Sequence, residues 1–187
     1  MNKTMYERDA TEAMSMELVE AIKTRRSVRR FDKKPVDDKV IHEIIELGNL
    51  APSAGNLQPR DFIIVKKQEI KEQLAHVALD QRFVAEAPVV VVVCANLKRT
   101  AHYGSRGREL YCIQDSAASI ENMLLAIVEY GLSCCWVGAF DEHAASQILN
   151  LPSHVRPVAM LPIGYSDVKT GYASRIGIDK LIHYEKW

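Results

Sequence analysis

Five consecutive valines, Val89 to Val93, inside "APVVVVVCA" (residues 87–95) constrain what this chain can fold into more than any other feature. β-Branched side chains lose rotamer freedom in a helix and pack well on a pleated surface, so the run is predicted to be a strand. Successive side chains of a strand point to opposite faces, so an uninterrupted apolar run needs apolar cover on both. Pro88, which lacks a backbone N–H, opens it. The stretch is far too short to span a bilayer, which takes about 20 apolar residues in a helix. It therefore reads as the central strand of a layered domain.

The flanking segments supply the other layers. "FIIV" (62–65) is expected as a short buried strand, "VAMLPIGY" (158–165) as a third buried strand, and "CCWVGAF" (134–140) as a strand leading into a turn. "SMELVEAIKTR" (15–25) has helical spacing at Met16, Val19 and Ile22, with Ser15 as candidate N-cap. Val40, Ile41, Ile44, Ile45 and Gly48 form one apolar stripe capped by Asp37 or Asp38, and "QEIKEQLAHVAL" (68–79) is helical as well. The longest helix is predicted from about Ile113 to Tyr130, with Ile120, Leu124 and Ile127 inward and Gly131 as its stop. Asp141 caps a further helix. Residues 97–110, polar and containing Gly104 and Gly107, are expected to be a mobile connection, and residues 166–187 show only weak periodicity. Strands alternating with helices, without a linker or an internal repeat, predict one domain over residues 1–187, a three-layer α/β/α sandwich of the α/β or α+β class.

Charge and motif content exclude several functions. Acidic and basic residues balance at 24 each, so any attraction for an anion must be local. Cys94, Cys112, Cys134 and Cys135 form no CxxC pair and no metal-ligand spacing, and read as buried thiols. The N-terminus "MNKTMYERDATEAM" lacks the apolar core of a signal peptide, so a cytoplasmic protein with no membrane association is expected. GxGxxG, Walker, HExxH and GxSxG patterns are absent, and the six histidines are scattered. Asp115, near the start of the long helix, reads as a cap.

Three short stretches remain as candidate chemistry. "TRRSVRRFDKKP" (24–35) concentrates Arg25, Arg26, Arg29, Arg30, Lys33 and Lys34 against the single acid Asp32. Arg25 and Arg26 fall where the first helix ends, where they can satisfy its last carbonyls and complement its dipole. Ser27 and Arg29 continue the cluster beyond that point, and guanidinium forks with a hydroxyl are good donors for a phosphate. A nucleic-acid surface would need a broader basic field with aromatic stacking partners. In "APSAGNLQPRDF" (51–62), Ser53, Asn56 and Gln58 are ordinary turn formers, or amide donors and acceptors for the edge of a heteroaromatic ring. In "GLSCCWVGAFD" (131–141), Gly138 permits close backbone approach to a flat ligand, or is a simple turn beside a packed Trp136.

Taken in order, "RRSVRRF", "APSAGNLQPRDFIIV", "QDSAASIENMLLAIVEYGLSCCWVGAF" and "LPIGY" followed by Arg175 resemble the nitroreductase family of flavin-dependent oxidoreductases. The resemblance runs from about Met16 to the C-terminus and implies an α+β sandwich that forms a homodimer with two FMN sites at its interface. It implies that Arg25, Arg26, Ser27 and Arg29 hold the FMN phosphate and ribityl chain, joined by Arg175. By the same resemblance, Pro52, Ser53, Asn56 and Gln58 sit on a loop that the second subunit lends to the flavin. Val137 and Gly138 present backbone near the ring's reactive nitrogen, Gln81 and Arg82 lie near its pyrimidine edge, and residues 166–187 wrap the partner subunit. The implied reaction is hydride transfer from NADH or NADPH to the flavin. Electrons then pass by a ping-pong mechanism to a nitroaromatic, quinone or similar small-molecule acceptor. Flavin fragmentation, dehalogenation, enoyl reduction and simple flavin carriage stay open as alternatives. In the family the loop usually ends in Gln-Pro-Trp; here Arg60 stands in place of the aromatic residue. Substrate choice is expected from residues 97–110, with Tyr103, Arg106 and Arg108 as candidates.

Overall fold

The computed structural model of the chain describes residues 16–168 and 170–187; Ser15 and the N-terminal stretch before it lie outside the described residues. At its centre β1 (Arg60–Val65), β2 (Val89–Asn96), β3 (Ser133–Cys134) and β4 (Val155–Gly164) form an antiparallel sheet in the order β1-β2-β4-β3. Every residue of β2 is buried. The period of two divides the valine run between the faces: Val89, Val91 and Val93 pack on one side, Val90, Val92 and Cys94 on the other. The first side is covered by α2 (Asp38–Asn49) and α6 (Cys112–Glu129), through Ile41, Ile44, Ile120, Met123 and Ile127. The second is covered by α3 (Gln68–Val77), the short α4 (Phe83–Glu86) and α7 (Glu142–Ile148), through Leu74, Val84 and Ala145. This is the expected three-layer sandwich, and its antiparallel sheet makes it α+β.

Local chemistry sets the element ends. The Asp37 carboxylate accepts the Lys39 N–H at 2.9 Å and starts α2, and Asp141 accepts the Ala144 N–H at 3.0 Å and starts α7. Gly131, at φ +66°, turns the chain out of α6. Gly48 brings α2 against α6, because a Cβ there would lie 2.4 Å from Met123 Cγ.

The structure corrects several sequence expectations. The first helix, α1 (Leu18–Thr24), is N-capped at Glu17 and buries only Ala21, leaving Leu18, Val19 and Ile22 exposed on this chain. "FIIV" belongs to an edge strand with one neighbour and is mostly half-buried, with Ile64 exposed. β3 is only two residues long; the chain rejoins the sheet at Val137, and Trp136 between them is 39% exposed rather than packed. Residues 97–110 are largely helical. A 3₁₀ turn (Ala101–Tyr103), α5 (Gly104–Arg106) and a π turn (Gly107–Tyr111) run directly into α6. The polar composition reflects a one-sided helix, and Gly107 makes it possible, since a Cβ there would stand 2.1 Å from the Thr100 carbonyl oxygen. Residues 171–187 are exposed on this chain, including Tyr172, Ile176, Tyr184 and Trp187. No helix among the described residues is long and apolar enough to cross a membrane.

Candidate functional site

The basic stretch leaves α1 in an extended conformation, with Arg25 at φ −51° and ψ 127°. Val28 N–H donates to the Cys134 carbonyl at 2.9 Å and Ser27 pairs with Cys134 in parallel, so the segment lies along β3. Val28 is buried there, with Ser27 and Arg29 on either side of it exposed. Ser27, Arg29 and Arg25 all act on the Cys135 thiol. Burial pushes that thiol's pKa up, and the Arg29 charge, hydrogen bonds from Ser27 and Arg29, and the Arg25 charge oppose it. Arg25 Nε also stands 4.0 Å from Glu121 Oε1. Arg26 turns elsewhere: its Nη1 donates to the Lys23 carbonyl at 2.6 Å and the Arg25 carbonyl at 2.8 Å, and its guanidinium lies 3.8 Å over the Tyr172 ring. The helix-end role thus falls to Arg26, while Arg29, Ser27 and Arg25 act on the Cys135 thiol.

The strand end next to this cluster is divided in the same way. Val137 exchanges both backbone bonds with Met160, at 3.0 and 2.9 Å, so its N–H is committed to the sheet. The Gly138 N–H has no partner among the described residues, and a Cβ on Gly138 would meet only Trp136 Nε1, at 3.9 Å. Gln81 Nε2 reaches this turn, donating to the Ala78 and Ala139 carbonyls at 2.8 and 3.3 Å. Arg175 lies in the exposed tail, where its Nη1 donates to the carbonyls of Ala173 and Ser174 at 3.2 and 3.3 Å.

The loop from Pro52 to Gln58 is held in an unusual shape. Gly55, Asn56 and Gln58 have φ of 56°, 55° and 48°, a region that costs ordinary side chains energy. Ser53 Oγ accepts the Gln58 N–H at 3.0 Å, and Gln58 Nε2 donates to the Asn56 carbonyl at 3.0 Å. The Ala54 N–H donates to both Asp115 carboxylate oxygens, at 3.2 and 3.1 Å. Asp115 is therefore not the cap expected from the sequence; it lies inside α6 and holds a loop from another element. Burial raises its pKa, opposed by the Ala54 hydrogen bond and the Arg60 charge. Tyr103 covers the loop tip, since a Cβ on Gly55 would lie 2.5 Å from the Tyr103 hydroxyl. Arg106, whose Nε donates to the Tyr111 hydroxyl at 3.0 Å, belongs to the same flank.

These two groups of residues do not meet within one chain. The basic cluster follows β3 and the loop precedes β1, which are the two outer strands. They also sit at opposite ends of the sheet: Cys134 pairs with Ile163 beside Val89, whereas Arg60 pairs with Ala95. Three strand spacings and the rise along β2 place them about 25 Å apart.

The sequence profile of the Nitroreductase family matches residues 22–82 and 73–165. The chain belongs to the nitroreductase family. It is 31% identical over 176 residues to an NADH dehydrogenase/NAD(P)H nitroreductase of Methanothermobacter thermautotrophicus, covering 92% of this chain and 88% of that protein. An NADPH-dependent oxidoreductase of Staphylococcus aureus is 28% identical over 190 residues, covering 93% of this chain and 75% of the relative. Among solved structures, the NADPH:FMN oxidoreductase of Vibrio harveyi, complexed with NAD+, superposes with a TM-score of 0.84 at 25% identity, covering 91% of this chain and 77% of that one.

Within this nitroreductase scaffold, Asp115, Arg60 and Arg99 anchor the 52–58 loop, and sequence reading missed this job for all three. Arg99 Nη1 donates to the Gln58 and Arg60 carbonyls at 2.8 and 2.9 Å, and its Nη2 reaches Asp61 Oδ1 at 2.7 Å. Their only sequence signal was Arg60, a charge standing in an apolar family position. Thiol chemistry has no footing in the structure: all four cysteines are buried, Cys94 with its pKa pushed up to about 12, mainly by burial. Among the described residues no group of three or more His, Cys, Asp or Glu is placed to hold a metal ion.

Proposed function

We propose that this chain is an NAD(P)H-dependent flavin oxidoreductase that works as a homodimer with FMN held between its subunits. Electrons pass by a ping-pong mechanism from NADH or NADPH to a nitroaromatic, quinone or similar small-molecule acceptor. The observation that carries the shared site is the separation of the two residue groups at opposite corners of one sheet. One chain supplies an anion cradle and an open strand end; a second copy is needed to bring a 52–58 loop to them. The exposed apolar residues of α1 and of the 171–187 tail are the surface such a pairing would bury.

The donor set fits FMN. Arg25, Ser27 and Arg29 offer two guanidinium forks and a hydroxyl that all act on the Cys135 thiol, a donor set suited to a phosphate and a polyol chain. Arg175 joins them once the tail is seated, whereas Arg26 ties the end of α1 to Tyr172. Gly138 offers an N–H and open space where a flat ring can lie, and Val137 fixes that turn through Met160. Ser53, Asn56 and Gln58, lent by the second subunit with Pro52 at the loop's root, orient the ring. When bound, FMN supplies the hydride-accepting and electron-donating chemistry. The chain binds it, orients it, limits water on one side and leaves the other face open. Residues 101–111, with Tyr103 and Arg106, border that opening from the loop side.

The test is anaerobic titration of the as-purified protein with NADH and with NADPH, followed by a panel of quinones and nitroaromatics. A flavin spectrum that bleaches with nicotinamide and recovers with acceptor is expected, with parallel double-reciprocal plots. Bleaching with no turnover on any acceptor would make the protein a flavin carrier. A colourless protein that binds no added FMN would overturn the reading, and a monomer holding one FMN per chain would sink the shared site.

A further inference from the structure

We propose that Arg60 is the positioning residue of the flavin-contacting loop: its buried guanidinium clamps the loop's root and holds Ser53, Asn56 and Gln58 in their binding geometry. The proposal rests on the reading that this loop meets FMN. Arg60 begins β1 and is 3% exposed, which for an arginine demands a full set of partners. It has them. Nε donates to Asn49 Oδ1 at 3.1 Å, Nη2 to the Asn49 and Ala51 carbonyls at 2.7 Å each, and Nη1 to the Pro52 and Asp115 carbonyls at 3.4 Å each. Five N–H groups thus meet five acceptors, three of them successive or near-successive carbonyls where α2 ends and the loop begins. A helix leaves its last carbonyls unpaired and slightly negative, and a guanidinium answers both needs.

The clamp continues on its far side. The Asp115 carboxylate holds the Ala54 N–H, so Arg60 and Asp115 between them fix backbone groups of residues 49, 51, 52 and 54. Burial lowers the guanidinium's pKa and raises the carboxyl's, and each charge opposes the other's shift. Beyond this root come the left-handed residues Gly55, Asn56 and Gln58. Such a backbone persists only where its surroundings over-determine it. A tryptophan in this place has one indole N–H and could pair at most one of these carbonyls, so this chain holds its loop by hydrogen bonds where the family resemblance implies packing.

The test compares wild type with R60M, R60K and an S53A/N56A/Q58A triple variant. FMN affinity of the apoprotein is read by fluorescence titration, with the visible spectrum and midpoint potential of the bound flavin measured at a temperature where circular dichroism shows each variant folded. R60M is expected to weaken FMN binding by about tenfold or more, as losing several charge-assisted bonds implies. It should also move the bound-flavin spectrum toward that of free FMN. R60K, which keeps the charge but not the fork, should fall between, and it decides the matter if R60M does not fold. FMN affinity within twofold of wild type, with spectrum and potential unchanged, in folded R60M and R60K would overturn the positioning role. If the triple variant also binds FMN normally, the loop does not meet the flavin and the underlying reading fails with it. A weakened triple variant beside a normal R60M confines the failure to Arg60.

Discussion

The arginines of residues 25–29 are unequal in their contacts, and single substitutions should reveal it. Arg29→Ala removes a cation that acts on the Cys135 thiol together with Ser27 and Arg25. A charge-assisted contact is worth about 1.5–3 kcal/mol, so FMN affinity should fall by roughly ten- to a hundredfold. Arg25→Ala should cost at least as much, because it also leaves the Glu121 carboxylate, now 4.0 Å from Arg25 Nε, without a neighbouring cation near a phosphate. Ser27→Ala removes one neutral donor, and a net loss of about 1 kcal/mol corresponds to several-fold weaker binding. Arg26→Ala should behave differently. It deletes bonds to the Lys23 and Arg25 carbonyls and the stacking on Tyr172, half-exposed contacts whose loss costs about 1 kcal/mol of stability. In a chain of this size that lowers Tm by about 2–4 °C. Its FMN dissociation constant should stay within twofold of wild type. Flavin fluorescence quenching against apoprotein, at low and moderate salt, gives the ranking Arg25 ≥ Arg29 > Ser27 > Arg26, with the first two most sensitive to salt. Equal losses at Arg25, Arg26 and Arg29 would mean that charge density, not the separate contacts of each arginine, holds the anion, and the geometric argument would be wrong.

Two further outcomes test the scaffold. Gly107→Ala places a Cβ 2.1 Å from the Thr100 carbonyl oxygen, a rigid backbone atom. Overpacking of about 1–3 kcal/mol should outweigh the helix-propensity gain of up to about 1 kcal/mol. Thermal melting should therefore show a lower Tm; an unchanged or raised Tm would deny the close approach. Glu142 accepts from Arg156 Nε and Nη2 at 2.7 and 2.8 Å, which holds its carboxyl pKa below the ordinary 4.5. The pair's stabilisation is thus present above about pH 4.5 and is lost as pH falls through the lowered value. Both side chains are nearly half exposed, so Glu142→Gln should cost less than about 1 kcal/mol in urea titrations at pH 7, with the difference closing in acid. A difference that persists at low pH would assign the effect to packing.

The sequence by itself determined the layers. A valine run buried on both faces requires helices above and below it, and the apolar stripes of α2 and α6, with their Asp37 cap and Gly131 stop, state which helices. It also determined the residue types at the candidate site, since a local cluster of arginines in a neutral chain already asks for a small anion. Hydrophobic period and cap chemistry are local, so they can be read along the chain. Composition misled where exposure is one-sided, as in residues 97–110, and where a strand's neighbours decide its burial, as in β1. The division of labour was likewise invisible. Whether an arginine turns to a helix end or away from it depends on tertiary contacts, and those set Arg29 beside the Cys135 thiol and Arg26 on the Lys23 carbonyl. Asp115 reads as a cap until the fold brings Ala54 to it, and Arg60 reads only as a charge in place of the family's aromatic residue until five acceptors surround it. Only the sheet order shows that the cradle and the loop stand at opposite corners of one subunit. Partners distant in sequence meet through tertiary packing, and no local pattern encodes which of them will meet.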